Sequence, residues 1–259
     1  MKGLRNPFAK KQAITPATFG VPDRRPVQDH PGWLLVAAMI VILLPKIPFG
    51  NYLIYPFMIL TTWFHEMGHG LTAILVGMEF DQLVIFASGS GYALTYSDPD
   101  TSGFTHALVS AGGPLGPAIA GALIILASTK ERTRRLALTA LGGFILISTA
   151  IWVRSIVGWA VLIPMAAAIL FIAQKGSENV SRFAVQFLGV HAAISMFGQW
   201  GYLFTDGFVS GGTHKVSDTG AIADYLLLPH WFWAGAIIVL GALIIGASLW
   251  RVVGRKGRK

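Results

Sequence analysis

The chain has 259 residues, of which 54% are hydrophobic and only 12% are charged. Soluble domains carry about 25% charged residues, so this composition excludes an ordinary soluble protein and indicates a multi-pass membrane protein. The net charge is +8, and the basic residues cluster beside apolar runs, where they indicate topology and contact with the lipid bilayer rather than nucleic-acid binding. The chain has no cysteine, which excludes disulfides and thiolate metal ligands.

The two ends of the sequence differ from the rest. Residues 1–31 are polar, lack the apolar core of a signal peptide and are expected to form a cytoplasmic-type tail, and residues 251–259 form a basic tail. No internal repeat is visible between them, so the sequence predicts a single membrane-embedded domain over 1–259. The basic flanks favour a bacterial inner, or plasma, membrane.

Apolar segments of about 20 residues predict transmembrane helices. Seven such segments follow one another, at 32–44, 52–77, 106–128, 136–153, 155–173, 183–204 and 230–250. The first is short and is broken by Pro45 and Pro48. The fold class is therefore all-α and polytopic, with six to seven transmembrane helices. A β-hairpin is expected at 81–98, where two β-prone runs flank Ser-Gly-Ser-Gly, and a polar loop at 207–224.

Three basic clusters lie before Pro31, at 130–135 and from Arg251 onwards, and each is expected to face the cytoplasm. Seven spans would place the two termini on opposite sides, which conflicts with this charge distribution. Four spans separate the second and third clusters, so these two clusters can both face the cytoplasm. The conflict lies in the first three segments, where either one segment is re-entrant or the N-terminal tail overrides the charge rule.

The sequence "HEMGH" at residues 65–69 follows a charge-free apolar stretch, 47–64. Residues four apart lie on one helix face, so His65 and His69 can bind one Zn²⁺ from the same side. Glu66 lies beside that face and can take a proton from a zinc-bound water. An unpaired acid at mid-membrane costs about 2.5–3.5 kcal/mol, which favours a metal site over a chance match.

Three features occur in an order that resembles the site-2 proteases, a family of intramembrane zinc metallopeptidases, and especially their divergent B-type branch. These are "HEMGHGLTAILVG" at 65–77, the hairpin after it and "SAGGPLGPAIAG" at 110–121. The resemblance implies a zinc-dependent endopeptidase that acts on membrane proteins or peptides, with Glu66 as the general base. It also implies that the Gly-Pro helix packs beside the catalytic helix.

The third zinc ligand is the part of the pattern that departs from the family. "TDG" at 205–207 is similar to the family's Asp-Gly element, so the resemblance makes Asp206 the expected ligand, but the family's preceding Asn and Pro are missing from "GQWGYLFTDG". Asp218, in "KVSDTGAIAD", is the alternative ligand. Asp218 can also be interpreted as the N-cap of a helix, because Ser217, Asp218 and Thr219 are all cap-type residues.

Two functions are compatible with these motifs. In the first, His65, His69 and Asp206 hold zinc, and an edge strand of the hairpin holds the peptide substrate extended by β-augmentation. In the second, the chain is a non-proteolytic, zinc-stabilised membrane scaffold or regulator that binds transmembrane partners. Glu66 favours the peptidase, because a structural metal site has no use for a general base.

Overall fold

The computed structural model describes residues 32–198, 200–210 and 213–254. The polar tail 1–31 and residues 255–259 of the basic tail lie outside the described residues, so the single domain over 1–259 stays a prediction. The helices are α1 Gly32–Leu43, α2 Gly50–Leu75, α3 Gly103–Ala127, α4 Glu131–Ile151, α5 Ile156–Lys175, α6 Glu178–Gly198, α7 Trp200–Leu203, α8 Asp218–Tyr225 and α9 His230–Gly254. The strands are β1 Glu79–Ile85, β2 Gly91–Tyr96, β3 Gly207–Ser210 and β4 Thr213–Val216.

Four of the described helices are long and apolar enough to cross a membrane, namely α3, α4, α5 and α9. Residues 34–46 and 50–75 add a fifth candidate if they form one broken span. The chain is therefore a mostly helical integral membrane protein, but the predicted count of six to seven spans is not confirmed. The difference lies at the first two predicted spans, which form a bent pair, and at α6, which is not among these four helices.

The first apolar run breaks where the prolines predict it. A 3₁₀ turn, Leu44–Lys46, follows α1, and Phe49 then adopts a left-handed conformation with φ of 63° immediately before α2. Gly50 is required there, since a Cβ would lie 1.7 Å from the Leu44 carbonyl oxygen. The two helical segments consequently meet at 119°, the geometry of a broken span or a re-entrant loop.

Helix α2 ends in a Schellman motif that turns the chain directly into the hairpin. Gly77 has a φ of 85°, a conformation that glycine adopts without strain. Its N–H donates to the Ile74 carbonyl at 3.2 Å, and the Met78 N–H donates to the Ala73 carbonyl at 2.8 Å. Strand β1 begins one residue later, so the hairpin is fixed relative to the helix that precedes it.

The predicted hairpin is confirmed as the antiparallel pair β1–β2. Thr62 on α2 donates its hydroxyl to the Gly89 carbonyl, and the Tyr55 hydroxyl donates to the Ala87 carbonyl at 3.0 Å, so the hairpin turn is anchored to α2. On its other side, β1 forms a parallel bridge from Leu83 to Val153. Strand β1 is therefore internal, and β2 is the edge of this small sheet.

Helix α3 contacts α2, α6, α8 and α9. Its contact with α2 runs through glycine: a Cβ at Gly68 would lie 2.2 Å from the Gly112 carbonyl oxygen. A Cβ on Gly121 would lie 2.8 Å from the Gly189 carbonyl oxygen of α6. Small residues at such crossings let helix backbones approach closely in a membrane. The Gly-Pro helix therefore packs directly beside the helix that carries "HEMGH", as expected.

Candidate metal centre

The two histidines of α2 lie on one helix face and converge at a single point. Their ring planes are inclined by 76°, and their centroids are 4.9 Å apart. The Nε2 atoms of His65 and His69 are 3.2 Å apart. Both side chains are largely buried, with 8% and 14% of their surface exposed, so these nitrogens meet inside the protein.

Helix α3 determines how His69 is oriented. The Nδ1 atom of His69 lies 2.8 Å from the Val109 carbonyl oxygen and donates to it, because a carbonyl can only accept. In the neutral ring, Nε2 then keeps its lone pair and faces His65. Gly113 leaves the space for this ring, because a Cβ at that position would lie 2.1 Å from His69 Nε2.

Asp218 completes the cluster from a distant part of the chain. Its Oδ2 lies 3.1 Å from His65 Nε2, and its Oδ1 lies 3.3 Å from His69 Nε2. Burial alone would raise the pKa of the Asp218 carboxyl, but the neighbouring imidazoles, His69 above all, hold that pKa below its usual range. The carboxylate is therefore ionised at neutral pH, as a metal ligand must be.

Asp218 occupies this position because Ser217 caps α8. The Ser217 hydroxyl accepts the Gly220 N–H at 3.1 Å, which is the hydrogen bond of an N-cap side chain. The N-cap interpretation of Asp218 is thereby corrected, since the preceding residue has that role. Asp218 is the first residue of the helix, and its side chain is left to face the two imidazoles.

Asp206, the ligand expected from the sequence, lies away from the histidines in the structure. Asp206 immediately precedes β3, its side chain is 81% exposed, and its carboxylate pairs with His230 at the start of α9. Its carbonyl accepts the Ser217 N–H at 2.9 Å. Asp206 thus belongs to the base of the β3–β4 hairpin, and that hairpin returns the chain so that Asp218 reaches the site.

The spacing of the three side chains fits a tetrahedral metal ion. Zinc–ligand distances of about 2.0–2.1 Å with tetrahedral angles place neighbouring ligand atoms about 3.3 Å apart. The three contacts among His65, His69 and Asp218 measure 3.2, 3.1 and 3.3 Å. Asp218 Oδ2 is buried without a hydrogen-bond partner in the described part of the chain, as is suitable for an atom that binds an ion. These residues therefore fit a zinc ion with one coordination position left open.

Glu66 is buried beside this cluster and lies under the hairpin. A Cβ on Gly91 would lie 3.1 Å from Glu66 Cγ, so strand β2 packs against the Glu66 side chain. Glu66 is therefore held between the two imidazoles and strand β2. In this position its carboxylate lies beside the three side chains that could hold a metal ion.

Several contributing groups were not identified from the sequence. Gly113 belongs to the Gly-Pro segment, which was interpreted only as a helix contact, and Val109 immediately precedes that segment. Tyr202, whose ring centroid lies 6.4 Å from that of His65, carries no recognisable motif. The sequence offers one signal for these contacts, which is that the Gly-Pro segment has a fixed place in the family pattern.

Comparison with known proteins gives one match, which covers most of the chain. A family model described as "Peptidase M50B-like" matches residues 33–248, which is 216 of the 259 residues. Comparisons with curated proteins and with solved structures give no match. The matched range includes α2, the hairpin, α3 and α8, and so contains the complete cluster.

Proposed function

Since the chain belongs to the Peptidase M50B-like family, within the site-2 proteases, we propose that it is a membrane-embedded zinc metallopeptidase. Its substrates would be peptide bonds of membrane-associated proteins. The observation that carries this proposal is the triangle of His65, His69 and Asp218, with edges of 3.1 to 3.3 Å, beside the buried Glu66.

The roles of the residues follow from their positions. His65, His69 and Asp218 would hold zinc, which would lower the pKa of water in the site to about 7 and polarise the peptide carbonyl. Glu66 takes a proton from the attacking water as the oxygen bonds to the carbonyl carbon. The same carboxyl then gives this proton to the leaving amine nitrogen as the C–N bond breaks.

Strand β2 supplies a surface that suits an extended peptide. The Leu83 N–H donates to the Trp152 carbonyl at 2.8 Å, and the Leu83 carbonyl accepts the Arg154 N–H at 2.8 Å. Because Leu83 uses both groups on that side, its partner Ala93 is in a non-hydrogen-bonded pair and directs its own N–H and C=O away from β1. No third strand pairs with β2 among the described residues.

That edge strand lies beside the site. Gly91 of β2 lies against Glu66, so a peptide paired with β2 would pass close to the general base and the metal ligands. Pairing would also keep the peptide extended, which exposes carbonyls that a helix would hide in hydrogen bonds. The hairpin is therefore suited to a helical substrate that unwinds locally before cleavage.

The variant Glu66→Gln separates the peptidase from the alternative scaffold. Glutamine has nearly the same shape but cannot accept the proton, so we expect the variant to keep about one zinc per chain and to lose cleavage. Purified protein would be analysed for metal and then incubated in liposomes with membrane proteins, with new peptide termini identified by mass spectrometry. Glu79→Gln, an exposed carboxylate at the start of β1, is the matched control.

Two results would refute this proposal. Wild-type protein purified without chelator that contains no stoichiometric metal would remove its basis. New termini that form equally with wild type and with Glu66→Gln would show that Glu66 is not the base. Zinc binding without any new termini in the wild type would favour the scaffold.

A further inference from the structure

The metal centre lies close to one end of the helical bundle. The Val109 carbonyl, which bonds the second histidine of "HEMGH", is six positions after Gly103, the first residue of α3, and 18 positions before Ala127, its last residue. At 1.5 Å per residue, these separations are about 9 Å and about 27 Å along the helix. A Cβ on Gly103 would lie 3.2 Å from the Tyr225 ring, so α8, which carries the third side chain of the cluster, also lies at this end. We call this the metal-site end.

The opposite, distal end of the bundle is where α3 ends, α4 begins, α5 ends and α6 begins. Only three residues join α3 to α4. In the first turn of α4, Arg134 Nη2 lies 3.2 Å from Oε1 of Glu178, the first residue of α6. The next residue, Arg135, donates to the carbonyls of Ala173 and Gly176 at the end of α5, at 2.8 and 3.1 Å. These helix ends therefore lie together, far along α3 from the metal centre.

Helix α9 runs from the metal-site end to the distal end. Ile237, near its start, belongs to one hydrophobic cluster with Ala107 of α3, and Val252, near its end, belongs to another with Ile125. The helix is therefore antiparallel to α3, and Arg251 lies at the distal end. These placements use contacts among α3 to α9, so they hold whether α1 and α2 form a broken span or a re-entrant loop.

The basic residues from α3 onwards are divided very unequally between the two ends. In the described part of the chain, the distal end carries seven of them, namely Lys130, Arg132, Arg134, Arg135, Lys175, Arg182 and Arg251. The metal-site end carries two, Arg154 just after α4 and Lys215 in β4. The Arg154 guanidinium donates to the carbonyls of Ile151 and Val153, at 2.6 and 3.1 Å, so its charge caps the end of α4.

This distribution of charge orients the bundle in a membrane. Lys and Arg beside transmembrane segments are retained on the cytoplasmic side, whereas Asp and Glu have little influence on orientation. We propose that the metal centre lies near the extracytoplasmic face of the membrane, and that its substrates are the extracytoplasmic ends of transmembrane segments. The second part of this inference rests on the proposed function, because it requires that the centre cleaves peptide bonds.

The depth of the centre determines which part of a substrate can reach it. A distance of about 9 Å along a helix corresponds to its outer six residues or so, which is less than two turns. A segment that entered from the cytoplasmic side would have to unwind over about 27 Å, or about 18 residues, to reach the same level. Its backbone groups would then lose their hydrogen bonds within the lipid, where no water replaces them. Entry from the extracytoplasmic side therefore requires much less unwinding.

The orientation can be tested by labelling single cysteines in the full chain, which has no cysteine of its own. Asp98→Cys and Asp100→Cys place a thiol at exposed positions just before α3, at the metal-site end, and Arg132→Cys places one at an exposed position of the distal end. Intact cells that express each variant would be treated with a membrane-impermeant maleimide, before and after permeabilisation. We expect the first two variants to react in intact cells and Arg132→Cys to react only after permeabilisation.

The substrate class can be tested with the Glu66→Gln variant. Membranes of cells that express wild type, Glu66→Gln or the control Glu79→Gln would be analysed for new peptide termini by mass spectrometry. Termini that form with wild type and Glu79→Gln, but not with Glu66→Gln, should lie within about six residues of the extracytoplasmic ends of transmembrane segments.

The possible failures are distinguishable. If Asp98→Cys and Asp100→Cys react only after permeabilisation, or if all three variants react from one side, the placement of the centre is overturned. Termini at the cytoplasmic ends of transmembrane segments overturn the substrate class. A wild-type chain that is labelled as expected but forms no new termini overturns the proposed function and the substrate class, while the placement of the centre stands.

Discussion

Replacing Asp218 by asparagine tests the residue that the structure, rather than the sequence, places at the centre. Asparagine keeps the size of the side chain and one carbonyl oxygen but removes the negative charge. In the structure, the two Asp218 oxygens lie 3.1 and 3.3 Å from the imidazole Nε2 atoms, so both oxygens face the proposed ion position. The substitution therefore changes the charge of the site with little change in its packing.

The expected effect can be derived from the number of ligands. Structural zinc sites with four ligands bind with about 10–16 kcal/mol, or about 2.5–4 kcal/mol for each ligand. Losing about 3 kcal/mol weakens binding about 100-fold, because each 1.4 kcal/mol is a factor of ten. We therefore expect Asp218→Asn to bind zinc about 100-fold more weakly than wild type.

Asp206→Asn is the matched control, since it makes the same chemical change at the acid that the sequence favoured. The Asp206 side chain is 81% exposed and pairs with His230, so its loss should leave zinc affinity unchanged. Both affinities would be measured by chelator competition on detergent-purified protein. If Asp206→Asn lost the metal while Asp218→Asn retained it, the assignment of the third ligand would be refuted.

Two further predictions concern packing and topology. Gly113→Ala should displace His69 and weaken both zinc binding and thermal stability, the latter by about 1–3 kcal/mol, because the new Cβ would lie 2.1 Å from Nε2. Gly143→Ala is the control, because no heavy atom lies within 4 Å of a Cβ at that position, and it should be neutral or should stabilise the protein by about 0.5–1 kcal/mol. Equal losses of stability in the two variants would contradict this explanation. Because the chain has no cysteine, Arg132→Cys and Arg251→Cys can be labelled singly, and we expect both from the cytoplasmic side. Labelling from opposite sides would mean that the count of four spans between 136 and 250 is wrong.

The apolar pattern located the helices better than it counted the spans. Predicted spans 106–128 and 155–173 correspond closely to α3 and α5, because long apolar runs without charges leave little alternative. Predicted span 183–204 covers most of α6 and the whole of α7, whose described residues lie on either side of residue 199. Hydropathy did not determine the span count, because segments 34–46 and 50–75 are bent by 119° against each other and form either one broken span or a re-entrant loop.

The sequence by itself determined the local half of the site. His65 and His69 meet because residues four apart share a helix face, and Glu66 lies next to them by the same geometry. The hairpin after α2 was likewise predictable, because it depends on a glycine-rich turn between two short β-prone runs. Each of these features is fixed by residues within a few positions of one another.

Only the tertiary structure decided which acid lies beside the two histidines. Asp218 lies 149 positions after His69 in the sequence, so no rule of local structure brings the two residues together. Asp206, in contrast, is followed by Gly207 and therefore resembled the family's ligand. The choice depends on Ser217, which caps α8 and leaves Asp218 free, and on Asp206, whose carbonyl accepts the Ser217 N–H. It also depends on the packing of α8 against α3, the helix that orients His69 through the Val109 carbonyl. A ligand that arrives from a separate helix is positioned by such long-range packing, whereas spacing along the chain determines only contacts within one helix.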